Sequence, residues 1–395
     1  MNSIISINKL VFALVLGLGL LVTSGLQAQT FNILHSFAGS DGSGPLAGLA
    51  IDSKGNLYGT TSSGGAHGSG VVFRANGSGQ ERVLYSFGSI VNDGASPESS
   101  LIFDASGNLY GTTFSGGASG NGTVFRLTPK GVETVLYNFA GGADGANPEA
   151  RLAMDKSGNL YGTSTAGGTA GDGTVFEISK AGQHSVLYNF AGGNDGTVPV
   201  AGVTLDAKGN LYGTTSTGGQ YGYGTVFELK RLQSGWAERI LHNFQMQSDG
   251  GTPYAGLIFD PSGNLYGAAT DGGDGSGGGG TIFELSPSGN SWTFKVLYGL
   301  AGWGISGAFR DILFDAASGV LYGTSHCDGA YNDGTVWELT PSSGTWNYTE
   351  LYTFTGQDDG LYIFSNLVSD KAGNLYGTAS EGGANGVGVI FKVAP

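Results

Sequence analysis

Within one short stretch of this 395-residue chain stand the groups best suited to chemistry: Arg310 and Asp311, then His326, Cys327 and Asp328. An imidazole can move a proton, a guanidinium can hold a carboxylate, and an acid can take part in either task. Together such groups suit cleavage of an acidic polysaccharide by a lyase or a glycoside hydrolase. Upstream, Glu98, Glu149 and Arg151 add two acids and a cation. These three join Arg310, Asp311, His326 and Asp328 as the candidate ligand-binding residues. None of these sets completes a catalytic arrangement, so catalytic residues are not assigned. The chain has no GxSxG, CxxC or HExxH. Gly302, Gly304 and Gly307 match GxGxxG, but the pattern that follows them reads as a strand, not the helix such a phosphate loop requires. Cys327, the only cysteine, can form no internal disulfide, and a thiol beside His326 lacks the third, orienting group of a thiol nucleophile.

Composition narrows what these residues can meet. Charged residues are only 12% of the chain and the net charge is −14, with no basic stripe for nucleic acid or an anionic membrane surface. Glycine supplies 75 residues without a three-residue period, and 10 prolines are too few for collagen. Hydrophobic residues at 39% are enough for a packed core, which excludes disorder.

The N-terminus reads as a secretory leader over residues 1–28: Lys9, an apolar run over 10–22, then small residues up to Ala28. The run is short for a spanning helix, so cleavage after Ala28 is expected, leaving 29–395 as one secreted domain with no membrane insertion.

Those elements must be repeated ones. A GNLYGT string or a close variant recurs with its tyrosine at Tyr58, Tyr110, Tyr161, Tyr212, Tyr266, Tyr322 and Tyr376, a mean spacing of 53 residues over six steps. Four short apolar stretches recur in each unit, separated by Gly, Asp, Ser or Pro and without helical periodicity. In the third copy they are 150–155, 159–164, 174–178 and 185–190. Such a unit is one blade of a β-propeller, and the chain is expected to be an all-β ring of seven four-stranded blades. An outer-membrane barrel would need strands of about 9 to 11 residues, longer than these. The chain opens with a fourth-type strand, 32–37, and closes with a third-type strand, 389–393, so the N-terminal strand should complete the last blade. The aspartate that begins each inner hairpin, as at Asp155, reads as turn chemistry. The glycine after each repeated tyrosine is expected to admit a ring or backbone from the adjacent blade.

The pattern is specific enough to compare with a family. LYNFAGGADGANPEARLAMDKSGNLYGTSTAGG, residues 136–168, resembles the GloVer tandem repeat of secreted bacterial "choice-of-anchor" proteins, and the similarity extends over 31–395. The resemblance implies a secreted, propeller-like repeat protein and brings no catalytic residues with it.

On a propeller, loops after the second and fourth strands share one face. That face collects Asp41, Asp93, Asp144, Asp195, Asp249 and Asp359, a set able to hold calcium but more simply explained as loop corners. No other cofactor or metal is expected. Arg310 stands where other copies have Ala or Ser, and His326 and Asp328 lie in the next loop of the same face, so these residues could converge. The alternative is drift in one blade. Glu98, Glu149 and Arg151 begin first strands and should line the channel mouth with Asn366, while His67, Tyr221 and Tyr223 could stack on sugars. Trp236, Trp292 and Trp346 are expected to cover outer blade edges. The expectation is therefore a monomeric, secreted binding module for a glycan or an extracellular protein. A polysaccharide lyase or hydrolase near the sixth blade is one alternative, and a purely structural surface protein is another.

Overall fold

The structure, a computed structural model, describes residues 29–273, 278–300 and 310–394. The expected leader and the interblade loop at Gly302–Gly307 lie outside the described residues.

Seven four-stranded antiparallel sheets form the expected propeller. Blade 1 contains Ala50–Ile51, Leu57–Thr61, Val71–Ala75 and Glu81–Ser86, in that order from the axis outward. First strands of blades 2 to 6 are Ile102–Phe103, Ala153–Met154, Thr204–Leu205, Ile258–Phe259 and Leu313–Phe314. Blade 7 holds Val368–Ser369, Leu375–Ala379 and Val389–Ala394, and its fourth strand is Thr30–Ser36 from the other end of the chain. That strand pairs from Thr30 with Ala394 to Ser36 with Val389, which closes the ring. Among the described residues the one helical element is a single turn, Gly142–Asp144.

Second and third strands are buried on both sides because each sheet is covered by its two neighbours. Thr174–Ile178, for example, is buried throughout except at Glu177. Inner hairpins are set by their aspartates. Asp52 Oδ1 accepts hydrogen bonds from the amides of Lys54 and Asn56, and Oδ2 accepts one from Asn56 Nδ2 at 2.7 Å. The same pattern holds at Asp104, Asp155, Asp206, Asp260 and Asp370. Burial alone would raise the Asp52 carboxyl, but these bonds outweigh it and hold it below its ordinary range.

First strands are shorter than the sequence suggests. In blade 3 only Ala153 and Met154 pair with the second strand, against an expected 150–155. The cause is a competing acceptor role near the axis. The Ala150 carbonyl accepts from Thr112 Oγ1 of the preceding blade at 3.3 Å, and the Ala201 carbonyl from Thr163 Oγ1 at 2.9 Å. Residues at the starts of first strands therefore join blades to one another and do not extend the ladder.

The repeated glycine also differs from expectation in its neighbour. A Cβ on Gly162 would lie 2.6 Å from Phe176 Cζ and 2.8 Å from Leu152 Cδ2, both in the same blade. Phe176 is the cross-strand partner of Gly162, so its ring folds flat over the missing side chain. The adjacent blade meets the outer side of that ring. Phe139 of blade 2 stands edge-on to Phe176 with centroids 5.1 Å apart. Equivalent edge contacts join Phe37 to Phe73, Phe87 to Phe125, Phe190 to Phe227, Phe244 to Phe283 and Phe354 to Phe391. Between blades 5 and 6 the two sizes are exchanged, with Leu300 and Trp337 buried in one cluster.

Trp236, Trp292 and Trp346 do not cap outer edges. They lie on the lengthened outer hairpins of blades 4 to 6 and stand edge-on to Tyr161, Tyr212 and Tyr266 of the preceding blade. Extra hairpin length carries the indole back over the seam.

Buried acids mark three seams. Glu81, Glu133 and Glu238 lie on fourth strands, and burial, then the nearby Asp41, Asp93 and Asp195 respectively, raises each carboxyl to about 7.

Two outcomes follow from this packing. Gly162→Val should destabilise by roughly 1–3 kcal/mol through overpacking against Phe176, read as a lower denaturant midpoint with an unchanged slope. The pH dependence has a definite sign. A raised folded-state carboxyl binds its proton more tightly than the unfolded chain does, so its contribution is full below the unfolded value and is lost as pH rises through about 7. The melting midpoint should fall between about pH 5 and about pH 8, and Glu133→Gln should flatten that fall.

Candidate functional site

The axis of the ring holds a channel of about 610 Å³. Leu49, Leu101, Leu152, Val203, Leu257, Ile312 and Leu367, one from each blade in turn, line it together with polar groups such as Thr204. At the mouth on the loop-rich face the side chains become polar. Each blade places one residue there, in the order Gly48, Ser100, Arg151, Gly202, Gly256, Asp311 and Asn366. Where this position is glycine, a neighbour leans across it. A Cβ on Gly48 would meet Asn366 Oδ1 at 2.0 Å, and over that gap Asn366 Oδ1 accepts a 2.7 Å bond from Ser100 Oγ. Asp311 Oδ1 likewise accepts from the Gly256 amide at 2.8 Å.

A small recess lies around this ring and brings five of the seven sequence candidates together: Glu98, Glu149, Arg151, Arg310 and Asp311. Asn366 lines it too, as expected. Tyr254 and Ser100 line the recess as well but are not among the candidates read from the sequence. A signal existed for both, since Tyr254 occupies the repeat position of Glu98 and Glu149, and Ser100 that of Arg151.

His326 and Asp328 do not join this group. The His326 ring stacks on Phe364 and Tyr362 of the next interblade loop, with centroids 4.1 and 4.9 Å away, so it faces along the loop layer and not toward the axis. Burial lowers the imidazole to about 4. Asp328 caps its own loop by accepting from the Gly329 amide at 2.7 Å, and burial raises its carboxyl. For Cys327, burial and then Asp333 push the thiol up, which opposes the thiolate form a nucleophile needs. Sequence adjacency put these residues on the correct face but gave no radial distance from the axis.

The loop face itself is firmly held. In most of the described interblade loops an aspartate accepts from a tyrosine near the end of the preceding strand, as from Tyr85 to Asp93 and Tyr188 to Asp195, both at 2.8 Å. Three residues beyond the aspartate the backbone is left-handed at Ser96, Val198 and Thr252, with φ of 52, 54 and 53°. Val198 shows the use of this strain. Its amide donates to the Asp172 carbonyl of one blade, and its carbonyl accepts from the Ser216 amide of the next. Tyr221 and Tyr223 stand exposed on this face.

Electrostatically the recess is an acid pair beside a cation. Burial and then the neighbouring Glu149 raise the Glu98 carboxyl to about 7, against the lowering effect of Arg310. Burial also raises Glu149, again opposed by Arg310. Such a group can accept or donate a proton near neutrality, bond polyol hydroxyls, and hold a carboxylate on the guanidinium. Because Arg310 lowers both acids, Arg310→Met should raise both further. Side-chain carboxyl shifts followed by NMR through a pH titration check this, with an unchanged Glu98 midpoint as the contrary result.

The arrangement can be compared with known proteins. Among curated proteins none matches the sequence. Two similar solved structures are candidate 6-phosphogluconolactonases from Bacteroides. That from Bacteroides uniformis is 16% identical, with 84% of this chain and 89% of that one covered at a TM-score of 0.54. That from Bacteroides fragilis is 17% identical, with 88% and 98% covered at a TM-score of 0.50. At these identities the likeness is one of fold alone. The family model described as the Gloeobacter/Verrucomicrobia repeat matches residues 14–227 and 201–395, and the chain belongs to that family.

Proposed function

We propose that this protein is an exported, monomeric propeller that binds acidic glycan at the channel mouth of its loop-rich face. The observation that carries the reading is the convergence of Arg310, Arg151, Glu98, Glu149 and Asn366 on one recess at the axis. Two guanidinium groups match the carboxylate of a uronic acid, while the acids and the amide match ring hydroxyls. The exposed rings of Tyr221 and Tyr223 offer apolar faces for further sugar units. The apolar run at 10–22 supports export, which would bring this face to extracellular polysaccharides.

One observation favours a second reading, that of a polysaccharide lyase or hydrolase. The Glu98 carboxyl, raised to about 7 beside Glu149 and Arg310, has the poise of a general acid or base.

Thermal melting against neutral and uronic-acid polysaccharides, each with calcium and with EDTA, tests both. Uronic-acid polymers should raise the midpoint, neutral ones much less, and Arg310→Ala should abolish the rise. A rise that survives Arg310→Ala, or no rise with any polymer, removes the glycan reading in favour of a protein partner or a structural role. New reducing ends or unsaturated uronates, lost in Glu98→Gln, would establish the enzyme.

A further inference from the structure

The seam where the ring closes adds a histidine to its buried acid. At most seams a tyrosine near the end of one fourth strand donates to the interblade aspartate, as Tyr137 does to Asp144 at 2.9 Å. An early residue of the next blade's fourth strand packs against that pair: His184 stacks on Tyr137 at 4.1 Å, and Phe31 on Tyr352 at 3.8 Å. At the closure seam these three positions are His35, Asp41 and Glu81. His35 Nε2 lies 2.9 Å from Asp41 Oδ2, and a donor atom from each of the three residues lies within 4.8 Å of the other two. Among the described residues no other three histidines, cysteines or acids meet this closely. Glu81 Oε1 is buried without a hydrogen-bond partner. The seam of blades 4 and 5 supplies an internal contrast. There His242 bonds Asp249, but Phe294 fills the third position and stacks on the imidazole at 3.7 Å.

We infer that His35, Asp41 and Glu81 bind a divalent transition metal of the zinc class. One neutral nitrogen and two carboxylates are a borderline-soft donor set. Calcium requires six or more oxygens, which three residues do not supply. Donors of one tetrahedral zinc stand roughly 3.3 Å apart, so side-chain rotation is enough to gather these three. Coordination uses the Nε2 lone pair of the Nδ1–H tautomer, with water as the fourth ligand. Asp41 is already oriented by the Ala38 amide, which donates to its other oxygen at 2.7 Å. The metal would tie the N-terminal strand to blade 1, across the seam that joins the two ends of the chain.

The test is calorimetric titration of the purified chain, stripped with EDTA and dialysed, with zinc chloride, together with thermal melting. One zinc per chain is expected, with a raised midpoint. His35→Tyr restores the residue found at other seams and so should fold, yet it should weaken zinc binding at least ~10-fold, as should Glu81→Gln. His242→Tyr should leave binding unchanged. No zinc binding by the wild-type chain, wild-type affinity in His35→Tyr, or loss in His242→Tyr would each overturn the inference.

Discussion

A ring folded over a glycine holds this propeller together. At Gly162 the absent side chain lets the Phe176 ring lie flat on its own sheet, and the outer side of that ring then receives the edge of Phe139 from the blade before. Edge-on aromatic contact is directional, so it fixes the angle between blades as well as burying area. With that angle repeated around the ring, the first strands converge to a channel narrow enough for Asn366 to reach across Gly48 to Ser100. The recess at the mouth exists only because the seams set this radius.

The same geometry explains why chemistry collects at one end of the first strands. Their early carbonyls bond to the neighbouring blade, as Ala150 does to Thr112, so the backbone leaves the ladder and its side chains spread around the axis. Burial there is incomplete, and acids are kept out of bulk water without being sealed from it. Glu98 and Glu149 share that condition and the Arg310 cation moderates it, which gives two chemically similar residues a common, tunable protonation. The acids at the outer seams, Glu81, Glu133 and Glu238, are raised by the same burial without a cation beside them.

Periodicity made the ring legible before any coordinates. The third strand 174–178 is found where the pattern places it because an unbroken apolar run has one way to be covered on both sides. The terminal strand swap followed from counting strand types, and the structure pairs Thr30–Ser36 with Val389–Ala394. First strands were overestimated because apolar pattern alone does not say whether a carbonyl bonds its own sheet or the next. At the site, repeat register placed Glu98, Glu149, Arg151, Arg310, Asp311 and Asn366 together. Sequence proximity misplaced His326 and Asp328, since two loops on one face can differ in radius. His35, Asp41 and Glu81 carried a quieter signal, a histidine in a column of tyrosines, which gains meaning only once the third residue of the seam is seen.

The exchange of sizes at the blade 5 and 6 seam bears on how such a chain can diversify. Leu300 is small where Phe139 and its counterparts are large, and Trp337 is large where Phe176 and its counterparts are smaller. Each residue fits only its altered partner, although one ends blade 5 and the other lies inside blade 6. A recombination event that swapped in a whole copy of the repeat would split this pair and bring Phe against Trp, or Leu against Phe. The segment that can move between such proteins without penalty therefore runs from the middle of one blade to the middle of the next, offset by half a repeat from the units visible to the eye.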